Sequence, residues 1–241
     1  MFDQKDQLKN FIFPLIRATK KSAGYYEYGE LIGTGFFIGA RGYALTAGHV
    51  IDQLFDVLPK NGAVLAIFSD SDGNWHPYEI IEKEKHSSED VGIIKVNGDW
   101  WNSLLEIDIV PGHSGQEYHC WGYPRVVAKE VTKIQESGLE RPELIFTQGY
   151  IRRRISRELE VVMYIGCQFY ELSEIVGEGN SGGPVILKTS VRPNQPMKLL
   201  GVYIGEKSSK GIDISYAVRS EAFMNWSPTI LGKTVLQEAN L

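Results

Sequence analysis

The sequence predicts an all-β fold, and two observations carry that reading. Apolar and polar residues alternate with a period of two along most of the chain, the spacing of a half-buried strand. Glycine makes up 25 of the 241 residues, above the usual share of about 7%, and interrupts the alternation at short intervals, as turns between short strands require. The runs fall into two sets of six with no alternation of strand and helix. Two antiparallel barrels or a sandwich fit that order.

The first set of strands is expected at about 11–19, 31–39, 42–47, 63–70, 76–84 and 90–96. The second is expected at about 116–123, 144–152, 160–169, 182–188, 198–206 and 212–218. Residues 97–115 hold no clear strand and read as a connector. Asp72-Gly73-Asn74 and Ala40-Arg41-Gly42 supply residues tolerant of positive φ between apolar runs, so both read as hairpin turns. Short helices are expected at 50–55 and at 219–226, the second stopped by Ser227-Pro228. Tyr25-Tyr26-Glu27-Tyr28 reads as a loop packed on the first set of strands, and Arg152-Arg153-Arg154 with Arg157 as the solvated tip of a hairpin.

Composition narrows the function. A chain of this length buries a large core without disulfides, and two cysteines exclude a disulfide framework. Cys120 and Cys167 lie in apolar runs and read as buried free thiols. The formal charge of −5 argues against a dedicated nucleic-acid binder. No export signal and no membrane-length apolar run is visible, so the expected location is cytoplasmic, with no membrane partner. Fifteen residues follow Trp226, too few for an appended peptide-binding module, so one domain over residues 1–241 is expected. Asp70-Ser71-Asp72-Gly73-Asn74 lacks the later bidentate Glu of a calcium loop, and His113, His119 and Cys120 lack zinc partners at ligand spacing. No metal or other cofactor is expected.

Three segments carry chemistry. Leu45-Thr46-Ala47-Gly48-His49-Val50 places a His where a strand gives way to a short helix. Glu89-Asp90-Val91-Gly92-Ile93-Ile94-Lys95 opens an apolar strand with carboxylates. Gly177-Glu178-Gly179-Asn180-Ser181-Gly182-Gly183-Pro184 sets a Ser among glycines just before another apolar strand. A Ser hydroxyl needs an adjacent base to attack a carbonyl. Imidazole titrates near working pH and suits that role. A buried carboxylate fixes its tautomer and stabilises the imidazolium. Glycines before the Ser let backbone N–H groups converge on a developing oxyanion, and the donors expected here are Gly179 and Ser181. Taken singly, each segment also has an ordinary structural reading: a tight turn, a core His, a capping Asp.

The chain resembles the trypsin/chymotrypsin-fold serine proteases, and in its loops the bacterial Deg-type proteases. The resemblance rests on Gly33-Thr34-Gly35-Phe36-Phe37-Ile38, the run Gly42 to Val50, Asp90 to Val96, Gly122-Tyr123-Pro124 and Gly179-Asn180-Ser181-Gly182-Gly183-Pro184, and spans about residues 11–226. It implies two six-stranded antiparallel β-barrels, about 11–96 and 116–218, a short C-terminal helix at about 219–226, and an active site between the barrels. It implies Ser181 as nucleophile, His49 as general base and Asp90, rather than its neighbour Glu89, as the orienting acid.

The chain departs from the family at three places. Digestive members pair a cleaved N-terminus with an Asp just before the nucleophile; Asn180 stands there and cannot form that ion pair. The residue six before the nucleophile lies at the base of the family's primary pocket. Here it is Ile175, which implies a preference for small or medium apolar side chains. Tyr203, Ile204, Gly205 and Glu206 are expected to form the opposite wall and a free strand edge for substrate backbone, and an inward Glu206 or Asp213 would restore a basic preference. Tyr203-Ile204 also replaces a Ser that often supports the catalytic Asp, so support for Asp90 is expected from backbone near His49. The expected function is serine endopeptidase, acting on one specific intracellular protein and open to regulation by a partner. The rival is a protein of the same fold that holds a peptide without cutting it, or an enzyme inactive until a partner orders its loops. A binder has no physical need for all three groups.

Overall fold

The computed structural model describes residues 7–21, 25–69, 74–98, 101–125, 133–134, 139–140, 142–159, 165–192, 195–209 and 212–241. Six strands of the first half close on themselves: β1 (Ile12–Lys20), β2 (Tyr26–Ile38), β3 (Tyr43–Ala47), β4 (Gly62–Ser69), β5 (Trp75–Lys85) and β6 (Val91–Val96). Their order around the barrel is β1-β2-β3-β6-β5-β4, and the β1–β4 pair, with Leu15 opposite Ala66, completes the ring. A closed barrel leaves no open sheet edge. Its filling is aromatic. Phe37 and Phe68 stack on Trp101 at centroid distances of 4.9 and 4.6 Å, and Phe13 tilts against Phe37 at 4.7 Å. Offset and tilted pairs of this kind match the ring quadrupoles as well as burying apolar area.

The second half adds β7 (Leu105–Ile107), β8 (Glu117–Gly122), β9 (Lys133–Ile134), β10 (Leu139–Glu140), β11 (Ile145–Ser156), β12 (Gln168–Leu172), β13 (Pro184–Leu187), β14 (Met197–Ser209) and β15 (Ile212–Arg219). Six of them run in the order β13-β8-β11-β12-β15-β14, and β13 pairs back onto β14, Pro184 opposite Val202, so this sheet is also ringed. Tyr118, Cys120, Tyr170, Leu172, Val185 and Tyr203 fill it. The architecture is therefore the two-barrel, chymotrypsin-like one.

Several expectations are corrected. β2 begins at Tyr26, so the tyrosine run is strand rather than loop, and Tyr28 is buried. Register shifts opposite Ile16 let β1 follow this longer partner. The connector contains β7, which pairs parallel to Met197–Leu199; a three-residue strand pairing across ninety residues leaves no local signal. β12 lies at 168–172 rather than 160–169. Residues 160–164 of the apolar run are outside the described residues, and Ile165 is exposed. The Arg152–Arg154 run sits within β11, not at a hairpin tip: Arg152 and Arg153 pair with Glu171, and Arg154 with Glu221. Both cysteines are free, but Cys167 is exposed. The Asp70–Asn74 turn lies largely outside the described residues. His119 packs edgewise on Phe146, and no group of three His, Cys, Asp or Glu among the described residues is placed to share a metal. No helix among the described residues is long and apolar enough to cross a membrane.

The helices are short: α1 (Gly48–Phe55), α2 (Ser220–Phe223) and α3 (Val235–Ala239). The helix expected at 219–226 is the single turn of α2. The third helix was not expected, although Thr234 and Gln237 form a reciprocal capping box that the sequence does display. It anchors the C-terminal segment. Glu238 is fully buried, receives Arg41 Nη2 at 2.6 Å and Lys233 Nζ at 2.8 Å, and Asn240 Oδ1 accepts from Ile107 N at 2.9 Å. Burial pushes the Glu238 carboxyl up, but the bonds from Arg41 and Lys233 outweigh it and hold the group below the ordinary carboxylate range. A depressed carboxyl stabilises the fold above its unfolded pKa and ceases to do so as pH falls through its folded value. Glu238→Gln is expected to cost about 1–3 kcal/mol at neutral pH, read as a lower Tm, and the gap to wild type is expected to close as pH falls below about 4.

Candidate active site

The two barrels bring three distant segments together. β3 and β6 are antiparallel with Ala47 opposite Val91. The residues just past β3 therefore lie beside those just before β6, which sets His49 next to Asp90. Asp90 Oδ2 meets His49 Nδ1 at 2.7 Å, and Asp90 Oδ1 accepts the His49 backbone N–H at 2.8 Å. That N–H is one of the orphan donors in the first turn of α1, whose N-cap Ala47 offers no side-chain acceptor. The carboxylate thus caps the helix and orients the ring at once. A side chain at position 48 would press on Asp90 Oδ1 at 2.9 Å, which accounts for Gly48. The backbone support sought for Asp90 near His49 is this bond.

Glu89, the rival acid, points the other way. Its buried carboxylate accepts from Cys167 N at 3.2 Å and reaches Cys167 Sγ at 3.5 Å, tying the loop before β6 to the start of β12. Burial raises its pKa.

Ser181 lies on the tight loop before β13. Its carbonyl accepts from Thr34 N in β2 at 2.8 Å, and Gly182 N donates to Tyr203 O at 2.7 Å, so the loop is pinned to both barrels. Gly182 has φ +93°, and a Cβ there would stand 2.1 Å from Thr34 O, so no other residue fits. Thr34 joins in again: its hydroxyl donates to Gly179 O at 3.1 Å and accepts from Tyr123 N at 3.0 Å. The Ser181 hydroxyl donates to Ile204 O at 3.2 Å. Asn180 is fully buried, and its amide donates to Val176 O at 2.5 Å and to Gly177 O at 3.2 Å, so the loop is braced from within.

Orientation of the turn's backbone follows from its own bonds. Glu178 O accepts from Arg125 N at 2.7 Å, and Asn180 O from Gly183 N at 2.8 Å. In a trans peptide the N–H points opposite to the C=O, and the described residues contain no cis peptide. The N–H groups of Gly179 and Ser181 are thereby turned away from those contacts.

His49 and Ser181 line one cleft of about 440 Å³. Ile32 and Gln53 come from the first barrel side, Arg125 from the segment after β8, Gly177, Glu178 and Gly179 from the turn, and Ile204, Gly205 and Glu206 from β14. A larger hollow of about 700 Å³ lies on the first barrel between Lys20, Phe55, Lys60 and Glu79, but none of the three site residues lines it.

The specificity residues divide. Ile204, Gly205 and Glu206 line the cleft; Ile175 and Tyr203 do not. Ile175 is 40% exposed on the loop after β12, and Tyr203 is fully buried in the second barrel, with its N–H and C=O bonded to Gly183 and Gly182. The register shifts by one residue at Ile204, between Tyr203 opposite Ala217 and Gly205 opposite Tyr216, as a bulge does. The pairing of β14 with β13 ends at Val202. The edge left on that side therefore starts at Ile204. The Glu206 carboxylate takes a bond from Gly177 N; burial raises its pKa, as do the nearby Asp213 and Glu178. Arg125 was missed as part of the cleft, because a lone Arg after Gly122-Tyr123-Pro124 carries no local signal.

Comparison with known proteins agrees with this fold. The family model described as trypsin-like peptidase domain matches residues 33–191, well over half of the chain. Among solved structures, the fold is similar to the apo MamO protease domain of Magnetospirillum magneticum, at 12% identity and TM-score 0.55, covering 89% of this chain and 94% of that one. It is similar to the active form of the Rv3671c protease of M. tuberculosis, at 20% identity and TM-score 0.57, covering 90% and 79%. It is also similar to the HtrA-type protease AlgW bound to a tripeptide, at 16% identity and TM-score 0.59, covering 91% of this chain but only 59% of AlgW. A search of the curated proteins finds no match.

Proposed function

Because the chain belongs to the trypsin-like peptidase domain family, we propose that it is a serine endopeptidase working through Ser181, His49 and Asp90. The observation that carries this reading is the pair of bonds from one buried carboxylate, Asp90, to the ring and the backbone of His49, in the cleft that holds Ser181. The carboxylate accepts at Nδ1, so the ring proton sits there and Nε2 is the basic nitrogen. Attack begins when the Ser181 hydroxyl turns from Ile204 O toward His49. Nε2 takes the proton as Oγ bonds to the scissile carbonyl carbon, and later gives it to the leaving amine. Charge developing on the carbonyl oxygen is met by the N–H groups of Gly179 and Ser181. Water then repeats the sequence on the acyl-enzyme. The test is mass spectrometry of a peptide library incubated with the protein. Discrete new termini from wild type and none from Ser181→Ala support the reading; an unchanged library with folded wild type counts against it.

The edge of β14 from Ile204 onward, beyond its last pair with β13, suits a substrate backbone added as a further strand. Ile175 stands outside the cleft, so it offers no apolar base to a side chain bound there. Glu206 and Glu178 make the cleft mouth acidic, and Arg125, the one Lys or Arg lining it among the described residues, is engaged by Glu178 and Glu30. A Lys or Arg side chain entering there gains a charged partner that an apolar one does not. Glu206→Gln is expected to lower kcat/KM for Lys or Arg peptides about tenfold relative to Leu peptides. The raised pKa of Glu206 sets the sign with pH: the basic preference is full while the carboxylate is charged and fades as pH falls through a value above the usual glutamate range. Equal loss for both peptide sets would refute the assignment.

A further inference from the structure

We infer that Arg125 is a positioning residue that holds the oxyanion turn in its donating orientation and ties that turn to the first barrel; the inference rests on the serine-protease reading. Arg125 follows β8 directly and makes two kinds of contact. Its backbone N–H donates to Glu178 O at 2.7 Å. Its guanidinium reaches across the cleft: Nε donates to Leu31 O at 2.7 Å, and Nη1 lies 3.2 Å from Glu30 Oε1 and 3.0 Å from Glu178 Oε1. Glu30 and Leu31 belong to β2.

The two kinds of contact have different weights. Glu30 and Glu178 are largely exposed, and exposed ion pairs contribute little. The bond to Leu31 O is made by a charged donor to the backbone of a closed barrel, so it anchors the side chain firmly. With the side chain anchored, the Arg125 N–H stands where it captures the Glu178 carbonyl. Rotation of the 178–179 peptide would cost that bond, turn the Gly179 N–H out, and aim a carbonyl oxygen at the place the oxyanion needs. The fork geometry of guanidinium lets one side chain bind β2 and the turn together, which an ammonium cannot reproduce.

The role is one of orientation, so its loss falls on the transition state. Removing an oxyanion donor outright costs about 100–1,000-fold in kcat, and loosening it costs less. Arg125→Ala is expected to lower kcat about 10- to 100-fold, with KM changed less than about threefold. Affinity for a peptide aldehyde, which forms the tetrahedral adduct, should fall in parallel, while affinity for the matching peptide amide stays near wild type. Arg125→Lys should fall between the two. An Arg125→Ala enzyme with wild-type kcat overturns the inference, as does one whose aldehyde and amide affinities fall together with Tm. If wild type itself fails to react with a fluorophosphonate, the protease reading falls and this inference with it; if wild type reacts and Arg125→Ala matches it, only the inference falls.

Discussion

Ser181→Ala is expected to abolish peptide cleavage and to leave both barrels folded. The loop's structural bonds come from backbone: Thr34 N to Ser181 O, Gly182 N to Tyr203 O, Gly183 N to Asn180 O. The Ser181 side chain contributes one weak bond of 3.2 Å to Ile204 O. Its removal therefore changes Tm little. Chemistry loses its nucleophile, and a kcat fall on the order of 10⁶ is expected. Peptide affinity should persist, because the strand edge and the cleft walls are unaltered. Steady-state kinetics together with peptide binding to the variant check both halves.

Asp90→Asn is expected to lower kcat about 10⁴-fold, or about 5.5 kcal/mol in barrier. The native carboxylate accepts twice, from His49 N and from Nδ1–H. An amide offers one acceptor and one donor. If its oxygen keeps the backbone bond that caps α1, its NH₂ faces Nδ1 and drives the ring proton to Nε2, where a base is needed. Glu89→Gln provides the contrast. Glu89 touches Cys167 rather than His49, so that variant should keep its activity within a few-fold. Comparable losses in both variants would contradict the assignment of Asp90.

Much of this was legible in the sequence because it is local. Period-two runs located eleven of the twelve expected strands to within a few residues, apart from the early part of β2, and the Gly-rich and strand-end motifs named Ser181, His49 and Asp90, of which the fold sets His49 against Asp90 and in one cleft with Ser181. What was not legible depends on where distant chain comes to rest. β7 is held by pairing with β14, and nothing in Leu105-Glu106-Ile107 announces that partner. Ile175, expected at the pocket base from its place six residues before Ser181, stands outside the cleft on the loop after β12, whereas Glu206, expected on the wall, lines it. Arg125 acts through Leu31 and Glu178, 94 and 53 residues away. The capping box of α3 was on display but short, and the worth of that helix lies in burying Glu238 against Arg41 and Lys233.

The proposed activity depends on Ser181 as a nucleophile activated by His49 and Asp90. Reaction with a fluorophosphonate, followed by mass spectrometry of the digested protein, tests it most directly, because the reagent bonds a serine only when base and oxyanion donors act together. One adduct per chain is expected, on Ser181, absent from Ser181→Ala and greatly slowed in Asp90→Asn. Folded wild type that takes up no reagent, or takes it up equally after Ser181→Ala, would contradict it.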